Sequence, residues 1–231
     1  MGTDTKLKLI YFDARGRAEP ARLMLELCGV PYEYEVMPLE KWMGQGGKES
    51  VLARTPFGQL PILEDGSFSL CQSRAILHYL ARKLGLFGET LEETARIDEV
   101  FETADELMWD LAQFHWDKEF HQKRAAHRET SQGKLERLQA YFTRTRADAE
   151  HWVRPGRYTL ADVMMAYSLE TFMPIHPGLV EGFPELHRFV TAFFSTSGVR
   201  EYVRSERRAR TWTVSLATFA GVPEETHHWT D

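Results

Sequence analysis

Four residues of this 231-residue chain combine type and setting in a way that could support polar chemistry: Tyr11, Arg17, Gln72 and Ser73. Tyr11 closes the short β-type run from Lys6 and stands just before the turn-like Asp13-Ala14-Arg15-Gly16. A phenol there could donate a hydrogen bond to a bound thiol sulfur, favouring the ionised sulfur and lowering its pKa. A free thiol titrates near ~8.5, so only a few per cent is thiolate at neutral pH. Lowering that value by about two units takes on the order of 2.7 kcal/mol of differential stabilisation. The phenol itself, near ~10, stays protonated. By residue type alone, a strand-end tyrosine is more often a core side chain. Arg17 could add a positive field to the same anion, or sit solvated at a helix start, or pair with Glu19. Ser73, with Gln72, opens a predicted helix, and helix N-termini offer unpaired N–H groups to carboxylates. A serine there also suits a plain N-cap.

Other reactive types carry less. Cys28 and Cys71 read as small buried hydrophobes rather than nucleophiles. His115, His121, His227 and His228 match no zinc spacing, and the last two read as a polar tail. Arg204, Arg207, Arg208 and Arg210 form a basic cluster of the kind that is usually a solvated face.

The elements that must position these residues differ between the two parts of the chain. Strand, helix and strand are predicted over 6–11, 17–28 and 32–37, with Gly29 and Pro31 ending the helix. Residues 38–55 carry Gly44, Gly46 and Gly47 and read as a loop beside a short helix. Two short strands at 59–63 and 67–70 flank Glu64-Asp65-Gly66, an Asp-Gly hairpin signal, and a helix follows from Gln72 to Leu84. The order is βαβ, a loop, then ββα. Past a linker at 85–91 the strand signals nearly vanish. Helices are predicted over 92–116, 129–152, 159–173, 185–196 and 198–207, with Thr159 and Asp162 spaced as a capping box. The fold class is therefore α/β plus all-α: a small layered domain over 1–84, a helical bundle over 92–210, and a C-terminal extension at 211–231 of open structure.

Composition bounds the function. A net charge of −6 argues against nucleic acid as a partner. Two cysteines make no disulfide framework and suit a reducing, cytoplasmic setting. No apolar run reaches the ~18 residues that span a bilayer, and the opening residues lack a secretory stretch. Gly2 invites a myristoylation reading, but Lys6 stands where that motif wants Ser or Thr.

Four segments then stand together: Leu9-Ile-Tyr-Phe-Asp-Ala-Arg-Gly-Arg-Ala-Glu19; Trp42; Pro56-Phe-Gly-Gln-Leu-Pro-Ile-Leu63; and Leu70-Cys-Gln-Ser-Arg-Ala-Ile-Leu-His-Tyr79. This set resembles the cytosolic glutathione transferases of tyrosine type, most closely the sigma class, which includes haematopoietic prostaglandin D synthase. The resemblance is dense over 6–84, weaker over 92–206 and absent from 211–231. It implies a thioredoxin-like first domain, a two-fold homodimer, and glutathione as co-substrate with no metal. It implies Tyr11 as thiol activator and Arg17 as its helper. Glutathione would meet Gln59, a strand-like backbone edge at Leu60 before a cis Pro61, and Gln72 and Ser73 at its γ-glutamyl carboxylate. Trp42 would meet the glycyl end, with Lys41, Lys48 or Arg54 as cation. Asp98 would reach across the dimer to the α-amino group. A small apolar electrophile is expected between Tyr11-Phe12 and the long helix, near Phe101, Glu106 and Met108. The activity implied is transfer of the glutathionyl group. The alternatives are an isomerase or peroxidase on the same scaffold, or a non-catalytic binding protein.

Overall fold

The computed structural model of the chain describes residues 7–230; Lys6, expected to open the first strand, lies outside them. Among the described residues the first domain holds β1 (Leu7–Tyr11), α1 (Glu19–Leu27), β2 (Tyr32–Val36), α2 (Leu39–Met43), α3 (Gly47–Leu52), β3 (Ile62–Asp65), β4 (Phe68–Cys71) and α4 (Ser73–Leu84). The sheet order is β2-β1-β3-β4, with β1 parallel to β2 and antiparallel to β3. The hairpin strands lie a little later than their pattern suggests, because the chain becomes extended only after Pro61.

Strand register lines up the polar candidates. Ile10 pairs with Ile62, and Ile62 with Cys71. One step along each strand therefore brings Tyr11, Pro61 and Gln72 to the same end of the sheet.

The second domain is helical: α5 (Leu91–Trp116), α6 (Phe120–Thr145), α7 (Leu160–Ile175), α8 (Pro184–Ser195) and α9 (Val199–Val203). Helix α7 is its axis, buried from Leu160 to Met173, as a helix apolar on all sides must be. Its start carries the Thr159–Asp162 capping box, and Asp162 also accepts from the Trp152 N–H. Helix α6 starts nine residues before its predicted start at 129 and stops at Thr145, because Asp148 closes a turn by accepting from Glu150 and Gly156 N–H groups. Helix α9 ends at Val203, well short of the predicted 207.

The core runs through both domains. Leu23, Ile76, Leu80, Phe101, Leu111, Phe172 and Phe193 belong to one buried cluster, and Ile10, Met37, Val51 and Ile62 form a second under the sheet. Residues 211–230 are ordered without strand or α-helix, with one 3-10 turn at Pro223–Glu225. Trp212 stacks on His115 at 4.2 Å, Phe219 on Phe120 at 4.4 Å and Trp229 on Phe194 at 4.8 Å.

Candidate active site

The turn after β1 is held at nearly every polar backbone group. The Phe12 carbonyl accepts from Tyr34 Oη, which itself accepts from Arg22. The Ala14 carbonyl accepts from Arg22 Nη2 at 2.9 Å, and the Gly16 carbonyl from Tyr167 Oη at 2.9 Å. Arg15 and Gly16 N–H groups donate to the carbonyls of Thr211 and Trp212 at 2.9 and 2.8 Å. Gly16 has φ +40, and a Cβ there would stand 2.7 Å from Tyr11 Oη. Only glycine fits beneath the phenol.

Tyr11 Oη accepts from the Arg17 N–H at 3.3 Å. Among the described residues its own O–H meets no acceptor, so it is available to a ligand. Burial pushes the phenol pKa up, with the Arg17 N–H and the charges of Arg22 and Arg17 offsetting part of the rise. The group therefore stays protonated at neutrality and acts as a donor.

Tyr11 faces a cleft of about 430 Å³. Trp42, Gln59, Leu60, Gln72 and Ser73 line it. The Leu60–Pro61 bond is cis. Gln72 sits at φ 74, rare for a non-glycine residue and characteristic of ligand clamps, and its Nε2 donates to Gln59 Oε1 at 2.6 Å. Gln72 rather than Ser73 is the N-cap of α4, and no side chain caps that start among the described residues, so its first N–H groups face the cleft side with no cap. Phe12 joins Tyr11 to Trp42 through ring contacts of 5.2 and 5.6 Å. Of the three cation candidates, Arg54 is committed to Glu35 at 2.8 Å and Glu64 at 2.9 Å. Lys48 Nζ stands 6.0 Å from the Trp42 ring centre. Gly47 allows this approach of α3 to α2, because a Cβ there would meet the Trp42 Cα at 2.7 Å.

A second hollow, about 270 Å³ and mostly apolar, opens beside Tyr11 and Phe12. Its walls are Trp109, Gln113 and Trp116 of α5 and Trp212, Thr213 and Val214 of the C-terminal segment. The Arg17 guanidinium lies over Trp109 at 4.5 Å, half-buried where it lines both hollows, and forms no pair with Glu19.

Three expected electrophile contacts lie elsewhere. Phe101 and Met108 are on the face of α5 that packs into the core, and Glu106 lines a separate groove between α5 and α6. The inner apolar stripe of α5 is consumed by packing against α7, so the face turned to the cleft is the neighbouring one, 109, 112, 113 and 116. Trp109 and Trp116 were the readable signal: large aromatics at i and i+7 on an otherwise polar helix face, 52% and 47% exposed. Asp98 is not at the cleft; its nearest ionic neighbour is His78 Nδ1 at 3.7 Å.

In the basic cluster Arg204, Arg207 and Arg210 are exposed as expected, while Arg208 and the terminal histidines differ from expectation. Arg208 is buried and donates to Glu19 at 2.7 Å and to both oxygens of Glu170 at 2.9 and 2.7 Å. Burial pushes the Glu19 carboxyl up, but Arg208, Arg22 and Arg15 outweigh it and hold the value at about 2. His227 and His228 meet Arg15. Among the described residues no three His, Cys, Asp or Glu side chains gather as a metal site, and no helix is long and apolar enough to cross a membrane.

The chain matches the family Glutathione S-transferase, N-terminal domain over residues 7–82 and Glutathione S-transferase, C-terminal domain over 90–196. Glutathione S-transferase Mu 1 of Oryctolagus cuniculus is 30% identical over 225 residues, covering 94% of this chain and 99% of that protein. The chain belongs to the glutathione S-transferase family. Glutathione S-transferase 4 of Caenorhabditis elegans is 42% identical over a shorter stretch of 107 residues, 46% of this chain and about half, 49%, of that one. The solved Pi-class glutathione S-transferase of Onchocerca volvulus superposes with a TM-score of 0.81 at 25% identity, covering 92% and 99% of the two chains. The transferase fold accounts for the mixed sheet and the helical second domain.

Proposed function

We propose that this transferase binds glutathione in the cleft beneath Tyr11 and ionises its thiol for attack on electrophiles held in the tryptophan-walled hollow. The observation that carries this reading is the Tyr11 O–H, protonated, without an acceptor of its own among the described residues, on a side chain that lines both hollows. The backbone edge at Leu60 offers strand-like pairing to the cysteinyl unit. The open start of α4, with Ser73 and Gln72, takes the γ-glutamyl carboxylate, and Lys48 beside Trp42 takes the glycyl carboxylate. The bound S–H loses its proton to solvent, and the thiolate accepts the Tyr11 hydrogen bond in the field of Arg17. Sulfur then forms a bond to the electrophilic carbon, and the leaving group departs with its electron pair.

We read the protein as a homodimer. Phe57 is 65% exposed on the loop before β3, and the groove between α5 and α6, lined by Leu107, Leu138 and Tyr141, is an apolar seat of suitable character. In such a dimer Asp98 is the candidate for the α-amino group of the partner's ligand. The free Cys28 and Cys71 suit a cytoplasmic setting. The Tyr11–Arg17 pattern with Trp42 supports a sigma-like class, while the relatives above carry Mu and Pi names.

Conjugation of an aryl halide, compared with Tyr11→Phe, tests the reading. Loss of the donor is expected to lower kcat/KM about twentyfold near neutrality, because a thiol pKa rising by about two units to ~8.5 takes the sulfur from mostly thiolate to a few per cent. An unchanged rate removes Tyr11 from the chemistry.

A further inference from the structure

The chemistry just described does not use the most heavily bonded side chain of the active-site turn. Arg15 is 2% exposed. Its nearest carboxylate oxygen, on Glu170, is 3.9 Å away, too far for a strong pair. Three buried guanidiniums, Arg15, Arg22 and Arg208, share two carboxylates, Glu19 and Glu170, and the shorter contacts go to Arg22 and Arg208. Arg15 is instead solvated by the C-terminal segment. Its Nε donates to the Ala209 carbonyl at 3.0 Å and its Nη1 to the His227 carbonyl at 2.7 Å. Its Nη2 meets His228 Nδ1 at 3.2 Å. That nitrogen must be the acceptor, since guanidinium only donates, which puts the His228 proton on Nε2, 3.1 Å from the Pro223 carbonyl.

The same two stretches are joined a second time through the backbone. The Arg15 and Gly16 N–H groups donate to Thr211 and Trp212 carbonyls. The next N–H in line, that of Arg17, is the one that fixes Tyr11 Oη, and Gly16 lies directly under that oxygen. The segment is in turn anchored at distant points: Trp212 Nε1 on Thr171, Trp229 Nε1 on Glu170, and Thr218 N on the His115 carbonyl. A shift of residues 15–17 therefore moves the phenol's own partner. Such a shift is opposed chiefly by contacts that come from residues 209–228.

We propose that residues 209–229 are a catalytic strap and that Arg15 is the positioning residue locking it to the turn that aims the Tyr11 hydroxyl at sulfur. The proposal rests on the sulfur-activation reading above. Removing Arg15 leaves the tail carbonyls and His228 Nδ1 without their donor and loosens the turn. The thiol pKa of bound glutathione then rises, while the glutathione-holding residues on Leu60, Gln72 and Ser73 are untouched.

The test is a pH titration of thiolate ultraviolet absorbance in the complex of the full chain with glutathione, run well below the melting temperature. Arg15→Gln is expected to leave about a tenfold smaller thiolate fraction near neutrality, with the glutathione Kd within about threefold of wild type. His228→Ala, which removes one partner of Arg15 from a part-exposed site, is expected to give about a threefold smaller fraction and serves if Arg15→Gln does not fold. A lower melting temperature with a titration curve that overlays wild type would make Arg15 purely structural and overturn the proposal. Tyr11→Phe runs alongside. If its curve shifts and those of the Arg15 and His228 variants do not, the strap alone fails; if its curve also overlays wild type, the sulfur-activation reading fails with it.

Discussion

The proposed glutathione cleft and the proposed electrophile hollow share Tyr11, Phe12, Arg17 and Trp109, yet they are assembled in opposite ways. The cleft is built almost wholly from one small domain, and strand register brings its parts to one edge of a sheet. The hollow draws on positions 12, 109–116 and 212–214, which meet only because α5 packs on α7 and the C-terminal segment folds back over both. The first arrangement depends on local backbone geometry, the second on the packing of the whole chain. Substitutions should accordingly separate into those that alter sulfur chemistry and those that alter what the sulfur attacks.

The largest effect should come from Gly16→Ala, because the added methyl would stand 2.7 Å from the Tyr11 oxygen and at a positive φ. Displacing the phenol by about 1 Å gives up most of the roughly twentyfold activation its hydrogen bond supplies. Conjugation kinetics should show that loss in kcat/KM, for small and large electrophiles alike. An effect that varied with electrophile size would blur the division.

Acid should act on the other half first. His115 lies buried under Trp212, and burial holds its pKa down at about 4. The unfolded chain binds this proton more readily, so stability contributed by neutral His115 is complete above about 6.5 and is lost as pH falls toward about 4. Between pH 7 and 5 the wild type should lose about 2 kcal/mol more stability than His115→Phe, measured by denaturant unfolding at each pH. Equal losses would show that the ring is not held neutral there.

Ser73→Ala should raise the KM for glutathione about tenfold, in line with losing one hydrogen bond to a charged group, and leave the electrophile KM unchanged at saturating glutathione. Trp116→Ala should do the reverse on a smaller scale. About a threefold change in electrophile KM is expected, larger for bulky aromatic substrates than for compact ones, since the residue is half exposed at the rim.

Much of the first half was readable because its signals are short and local. A tyrosine at a strand end, a proline opening a strand and Gln72-Ser73 opening a helix each fix a backbone position within a few residues. The second half offered no such handle. The apolar stripe of α5 was visible, but periodicity says only that a face is buried, and here it is buried in the core; the cleft takes the adjacent face, with Trp109 and Trp116. Arg208 read as part of a solvated run, as its exposed neighbours are, because spacing does not reveal partners 38 and 189 residues away. One signal was present: past the capping Asp162, Glu170 is the one charged residue of a mostly apolar helix, and a carboxylate buried on all sides demands a cation. The tail had no periodicity because its order comes from stacked tryptophans and from carbonyls offered to Arg15.

The clasp between Arg15 and the strap also sets an order of events in biosynthesis. Arg15 emerges from the ribosome 212 residues ahead of His227. Until the later stretch arrives, its guanidinium must remain in water, and the turn carrying the phenol stays unfinished. The sheet can assemble as the nascent chain grows, but competence for the proposed sulfur chemistry waits until residues 209–229 have been made and folded back.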